Sequence, residues 1–327
     1  MNRRMFVAAL VGALIAATRV AVAQQQPARI YRIGFLGTTS ASEYAGQVEA
    51  LRAGLRDLGY VEGKNIVIEF RWADGHYDRL PELAAELVRL NVDIIVTHGT
   101  LGARVAMQAT KTIPIVMAIG ADAIVTGLVT SLAHPGANLT GSTILNPELS
   151  SKRLALLKEA VPRITRAAVV VPRDNPSAGA VMQSMETTAR SLQVALQFFE
   201  VRGPSDFEIA FSEIGRARVD AVLVFEDPML IVNSKAIAAL AAKYRLPSTG
   251  FKEFAEAGGL IGYGADTLDV IRHAAVFVDK ILKGAKPGDL PIEQATRFEL
   301  LINLRTAKAL GIAIPQSVVV RAAKVIQ

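Results

Sequence analysis

The chain has no cysteine, which excludes disulfides, thiolate metal sites, cysteine nucleophiles and a lipid-modified cysteine at an N-terminal cleavage point. It has four histidines, His76, His98, His134 and His273. None stands at the H-x-x-x-H or H-E-x-x-H spacing that brings two imidazoles to one metal, so no metal site is expected. After the first apolar strand, Gly34 and Gly37 are followed by Thr38, Thr39 and Ser40, which is not the G-x-G-x-x-G of a dinucleotide fold. A Walker-type Gly-Lys-Ser/Thr loop and a G-x-S-x-G nucleophile elbow are also missing. No cofactor is expected, and no enzyme activity. Beyond the N-terminus no apolar run is long enough to span a bilayer.

What is present begins with a leader. Arg3 and Arg4 precede an apolar run from Met5 to Ala17, and Ala21, Val22 and Ala23 give the small-residue pattern of a secretory cleavage site, with cleavage expected before Gln24. The run breaks at Thr18 and Arg19, short of the roughly 18 to 20 residues a membrane anchor needs. An ordinary secretory signal is favoured over a twin-arginine one, although "RRMF" resembles the start of the latter. The mature protein is expected in an exported compartment without stable membrane insertion. Removing the three leader arginines lowers the formal charge from +6 to +3, too little to indicate a nucleic-acid or anionic-membrane partner.

The 327 residues are 51% hydrophobic and 20% charged, enough for one large or two ordinary domains. From residue 30, short β-branched runs alternate with helix-length amphipathic segments. "YRIGFLG" reads as a strand; Val48, Leu51, Leu55 and Leu58 place one face of a helix at spacings of three and four, closed by Gly59. "NIVIEFRWA", "DIIVT", "IPIVMAI" and "NLTGSTI" continue the strands, and a second series follows from "SSKRLALLKEAVP" to "LPSTGF". This order predicts an α/β chain of two doubly wound, Rossmann-like lobes with parallel sheets, joined by short direct connections.

In such sheets ligands collect at the carboxyl ends of strands. Those turns here are rich in Gly, Ser, Thr, Asn and Asp, which hydrogen-bond without strong nucleophilic or acid–base power. Gly99 and Thr100, opening a helix, suit a carboxylate, and Asp122 and Glu226 suit an amine. His98 at a strand end is the one candidate general base, weighed against packing at the cleft rim. Trp72 and Tyr77 read as edge packing, or alternatively as an aromatic wall of the cleft.

The segments "GLRDLGYVEGKNIVIEFRWADG", "LAAELVRLNVDIIVTHGT", "TGLVTSLAHPGANLTGST", "EAGGLIGYGAD" and above all "VDKILKGAKPGDLPIEQATRFELLINLRTAKALGIAIPQSVVVRA" resemble ABC-type transport substrate-binding proteins of the tryptophan/tyrosine uptake kind. The resemblance runs from about residue 29 to the end. It implies a periplasmic binding protein of type I: two lobes, three hinge crossings and a ligand clamped between them. Its cleft positions fall on Thr38, Thr39, Ser40, Gly99, Thr100, Asp122, Asn175, Ser177, Glu226, Asp227, Phe251 and Tyr263. It also implies lobe 1 at 28–145 plus about 253–288, and lobe 2 at 146–252 plus about 289–327. Where the family usually has Asp-Pro, this chain has Asp122 and Ala123, which implies a looser turn. The expected partners are a small organic ligand, an amino acid or related carboxylate, and an inner-membrane ABC permease; the expected state is a periplasmic monomer. The alternatives are a sensory ligand-binding protein for a membrane receptor, which the presence or absence of a neighbouring permease and ATPase gene pair would distinguish, and an exported α/β enzyme using His98 with Asp122.

Overall fold

The computed structural model describes residues 29–327; the leader lies outside them. Among the described residues, no helix is long and apolar enough to cross a membrane.

The first half of the chain runs β1 (Tyr31–Gly37), α1 (Ala45–Asp57), β2 (Ile66–Trp72), α2 (Leu80–Arg89), β3 (Ile94–Thr97), α3 (Thr100–Ala109), β4 (Ile115–Ala121) and β5 (Leu139–Ile144). It continues through α4 (Asn146–Ala160), β6 (Arg166–Pro172), α5 (Ala178–Ser191), β7 (Ala195–Val201), α6 (Phe207–Arg216) and β8 (Ala221–Val224). Then come α7 (Pro228–Val232), α8 (Ser234–Lys243), β9 (Ser248–Gly250), β10 (Ile261–Ala265) and α9 (Thr267–Leu282). The tail holds β11 (Glu293–Gln294), β12 (Phe298–Asn303), α10 (Leu304–Leu310), α11 (Gln316–Val319) and β13 (Lys324–Ile326).

These strands form two sheets. One is ordered β11-β5-β4-β3-β1-β2 and the other β13-β12-β10-β9-β8-β6-β7. All pairings in the first are parallel. The second is parallel except between β10 and β12. Strands buried on both faces need apolar residues at consecutive positions rather than alternation, and Ile94–Thr97 and Ala221–Val224 are buried throughout. In α1 the expected face is buried at Val48, Leu51 and Leu55, whereas Leu58 is the exposed cap residue. Gly59 follows with φ +89°, the left-handed conformation that ends a helix most cheaply when no Cβ is present.

The chain passes between sheets three times: after β5, after β10 and after β11. The second crossing is later than expected. The segment from 253 to 265 does not join the first lobe, because β10 pairs with β9 and β12 and Phe254, Leu260 and Ile261 are buried in the second lobe's core. The return begins with α9, whose Ile271, Ala274, Ala275 and Val278 pack with Val48, Leu51 and Leu55 of α1. The contact is tight: a Cβ on Gly54 would lie 2.3 Å from the Arg272 carbonyl oxygen. The third crossing is also later, since β11 pairs with β5 at Glu293↔Ser142.

Candidate functional site

The carboxyl ends of the two sheets face each other across a cleft. The first lobe lines it with Tyr44, Gln47, His98, Gly99, Thr100, Ile119, Gly120, Ala121 and Ile144; the second with Asn146, Asn175, Glu226, Asp227, Pro228, Ile231 and Val232; Thr267 lines it at the second crossing. The cavity volume is about 50 Å³, far below the roughly 300 Å³ at which ordinary small-molecule sites begin. The lobes meet across it, and the space left between them is too small for a ligand of amino-acid size.

His98 dominates the first-lobe wall. It directly follows β3, is 1% exposed, and stacks on Tyr44 at 3.8 Å between ring centroids with 17° between planes. The Thr38 backbone N–H donates to its Nε2 at 3.2 Å, which assigns the imidazole proton to Nδ1. Burial pushes its pKa down to about 3, so at neutral pH it is an uncharged, oriented platform. Asp122 does not partner it. The Asp122 carboxylate instead accepts from the N–H groups of Ile124 and Val125 at 3.0 and 3.1 Å, and its carbonyl accepts from Thr126 Oγ1 at 2.7 Å. The turn expected to be loose for want of proline is thus tied by its own side chain, and the His98–Asp122 pair that an enzyme reading required is not formed.

Gly99 has φ +76° and precedes α3. Its N–H is already spent on the Ile119 carbonyl at 2.8 Å. The Thr100 hydroxyl accepts from the Ala121 N–H at 3.0 Å, fixing the end of β4 to the start of α3 and leaving the hydroxyl proton to donate. The first-turn amides of a helix have no partner within it, so this end of the cleft favours a carboxylate.

The second-lobe wall carries the charge. Arg153 of α4 pairs with Glu226, the two side chains being 2% and 7% exposed, and its Nε donates to the Tyr263 carbonyl at 2.7 Å. Asn146 donates to the Glu226 carbonyl at 3.3 Å, and its Oδ1 is buried with no protein partner among the described residues. Asp227 caps α7 through the Met229 N–H at 2.9 Å and accepts from Asn175 Nδ2 at 2.8 Å. Burial raises its pKa, while the bonds from Asn175, Tyr77 and Met229 oppose the rise.

Of the twelve residues expected in the cleft, Gly99, Thr100, Asn175, Glu226 and Asp227 line it together. The other seven lie elsewhere. Thr38 and Thr39 are buried, Thr38 beneath His98. Ser40 donates to Glu43 Oε2 at 2.7 Å. Asp122 closes its own turn, and Ser177 donates to Asn175 Oδ1 at 2.7 Å. Phe251 is a core residue against Phe254, since a Phe at the end of a short, fully buried strand points into its own lobe. Tyr263 packs on Phe298. Sequence reasoning passed over Tyr44, Asn146 and Arg153. A signal existed for Asn146, which sits where an apolar strand ends and Pro147 opens a helix; an arginine on a helix carried none.

The model of the ABC transporter substrate binding protein family matches residues 39–326. A tyrosine-binding protein of Clostridioides difficile is 27% identical over 258 residues, 78% of this chain and 74% of that protein. Among solved structures, a conserved domain protein from Vibrio cholerae superposes with a TM-score of 0.84 at 27% identity, covering 91% of this chain and 99% of the other. An ABC domain in complex with L-Trp from Streptococcus pneumonia gives 0.83 at 25% identity, covering 90% and 99%.

Proposed function

Because the chain belongs to the ABC transporter substrate-binding protein family, we propose that it is exported, captures an amino acid or related small carboxylate between its lobes, and delivers it to an ABC permease. The observation that carries the ligand class is the polarity of the closed cleft. At one end the start of α3, with the Thr100 hydroxyl, suits a carboxylate. At the other, Glu226 and the unpartnered Asn146 Oδ1 suit an ammonium group. Between them Ile119, Ile144, Ile231 and Val232, with the stacked faces of His98 and Tyr44, suit an apolar or aromatic side chain. Glu226 is already neutralised by Arg153, so the site favours a zwitterion over a bare cation. The similarity to a tyrosine-binding protein and to an L-Trp complex supports aromatic amino acids as the first candidates.

Closing two lobes over such a ligand excludes water and strengthens each hydrogen bond. It also creates the shape a permease distinguishes, since only the closed form offers both walls at once. The test is a thermal-shift screen of amino acids, their deaminated acids and their amides. A ligand at a hundred times its dissociation constant adds about 2.7 kcal/mol of stability. The expected result is a shift with an intact aromatic or apolar amino acid, lost when either the ammonium or the carboxylate is removed. A broad panel with no shift would overturn the reading.

A further inference from the structure

At the edge of the cleft, two first-lobe loops grip one dipeptide of the second lobe. Tyr77 lies in the short 3-10 turn Tyr77–Arg79 after β2. Its hydroxyl donates to Asp227 Oδ1 at 2.9 Å across 150 residues of sequence. Its ring packs against the first-lobe core around Leu36, Ala73 and Leu80 and against the second-lobe core as well. Beside it, Gly99 approaches Pro228 so closely that a Cβ would lie 3.0 Å from the proline Cγ. Asp227 is otherwise held from within its own lobe, by Asn175 Nδ2 at 2.8 Å and the Met229 N–H at 2.9 Å. Its carboxylate is thus built and oriented before the lobes meet, and Tyr77 is the bond added by closing.

We propose that Tyr77 and Asp227 form a latch that sets the population of the closed form without ligand and the residence time of ligand with it. Asp227, although it lines the cleft, is then a closure residue, with protein donors on both of its carboxylate oxygens. This goes beyond the identity of the ligand, because a latch biases the same two-state equilibrium whether or not the cleft is filled. A hydrogen bond to a carboxylate is among the stronger ones, and its loss lowers the closed-to-open ratio roughly tenfold.

The absence of cysteine makes the test direct. Glu82→Cys in α2 and Lys235→Cys in α8, both exposed positions on opposite lobes, accept spin labels for interlobe distances by double electron–electron resonance. Tyr77→Phe keeps the ring and removes only the hydroxyl. It is expected to move the ligand-free distances toward the open form, and to raise the off-rate of L-tryptophan roughly tenfold with little change in on-rate. Tyr244→Phe, a second-lobe tyrosine outside the cleft, is the control and is expected to move neither. Pro228→Ala, which loosens the neighbouring grip, is expected to shift the distances in the same direction by less, and serves if Tyr77→Phe does not fold. Distances and off-rate in Tyr77→Phe equal to those of the control overturn the latch. If L-tryptophan does not bind, the ligand-free distances decide the latch alone, while that failure counts only against the ligand assignment.

Discussion

The two walls of the cleft are made of opposite materials. In the first lobe the residues facing the ligand space are neutral: a stacked imidazole and phenol, a hydroxyl, backbone amides and aliphatic side chains. In the second lobe they rest on charge, with Arg153 and Glu226 paired out of water and Asp227 held by three donors. A neutral wall is cheap to open to solvent and shape-selective. A charged wall resists rearrangement, because each ion depends on a particular partner, so the second lobe serves as the fixed jaw. The difference separates a wall that offers shape and neutral hydrogen-bonding groups from one whose groups are fixed by buried charge.

The largest expected break in this contrast comes from Arg153→Met. Leaving Glu226 buried without its partner costs about 3–5 kcal/mol, read from urea unfolding, and Arg153→Met combined with Glu226→Leu recovers most of it because the orphaned charge is gone. If the single variant lost no more than a surface substitution, the second wall would not be the rigid one. The next effect tests the neutrality of the first wall. His98 is held at a pKa of about 3 against an ordinary 6.5, so at intermediate pH the unfolded chain binds a proton that the folded one refuses. Its contribution is complete above about pH 6.5 and is lost as pH falls toward 3, at up to roughly 1.4 kcal/mol per pH unit. His98→Phe retains an aromatic face and should narrow the stability gap to wild type by about 2 kcal/mol between pH 7 and pH 5. An unchanged gap would mean that the imidazole takes up its proton in the fold as readily as in the unfolded chain. The smallest effect belongs to Asp122→Ala: a loss of about 1 kcal/mol from the opened turn, with ligand affinity within about twofold of wild type. A large loss of affinity would return Asp122 to the cleft.

The architecture was legible because fully buried parallel strands must be written as unbroken β-branched runs, and "DIIVT" and "DAVLVFEDP" allow little else. The lobe boundaries were harder. Leu260 and Ile261 are apolar enough for either core, and nothing local in the sequence records which sheet a strand joins; only the pairing of β10 with β9 and β12 decides it. Within the cleft, the turns at Gly99 and Thr100, at Asn175 and at Glu226 and Asp227 were recognisable from strand-end position and polar chemistry. Arg153 was not, because an arginine on an amphipathic helix ordinarily faces water, whereas this one is among the largest fully buried side chains. Tyr77 read as edge packing, since a contact spanning 150 residues leaves no periodicity to detect.

The late return of the chain through α9 also sets an order for synthesis. Ile271, Ala274, Phe277 and Val278 belong to the same core as Ile33, Phe35 and Leu51, so the first lobe to be translated cannot finish its interior until residue 278 has emerged. The second sheet in turn awaits β13 at Lys324–Ile326. The first hemisphere is completed only by β11 at Glu293–Gln294, after most of the second has been made, and a truncation at the second crossing would leave two unfinished interiors rather than one intact half.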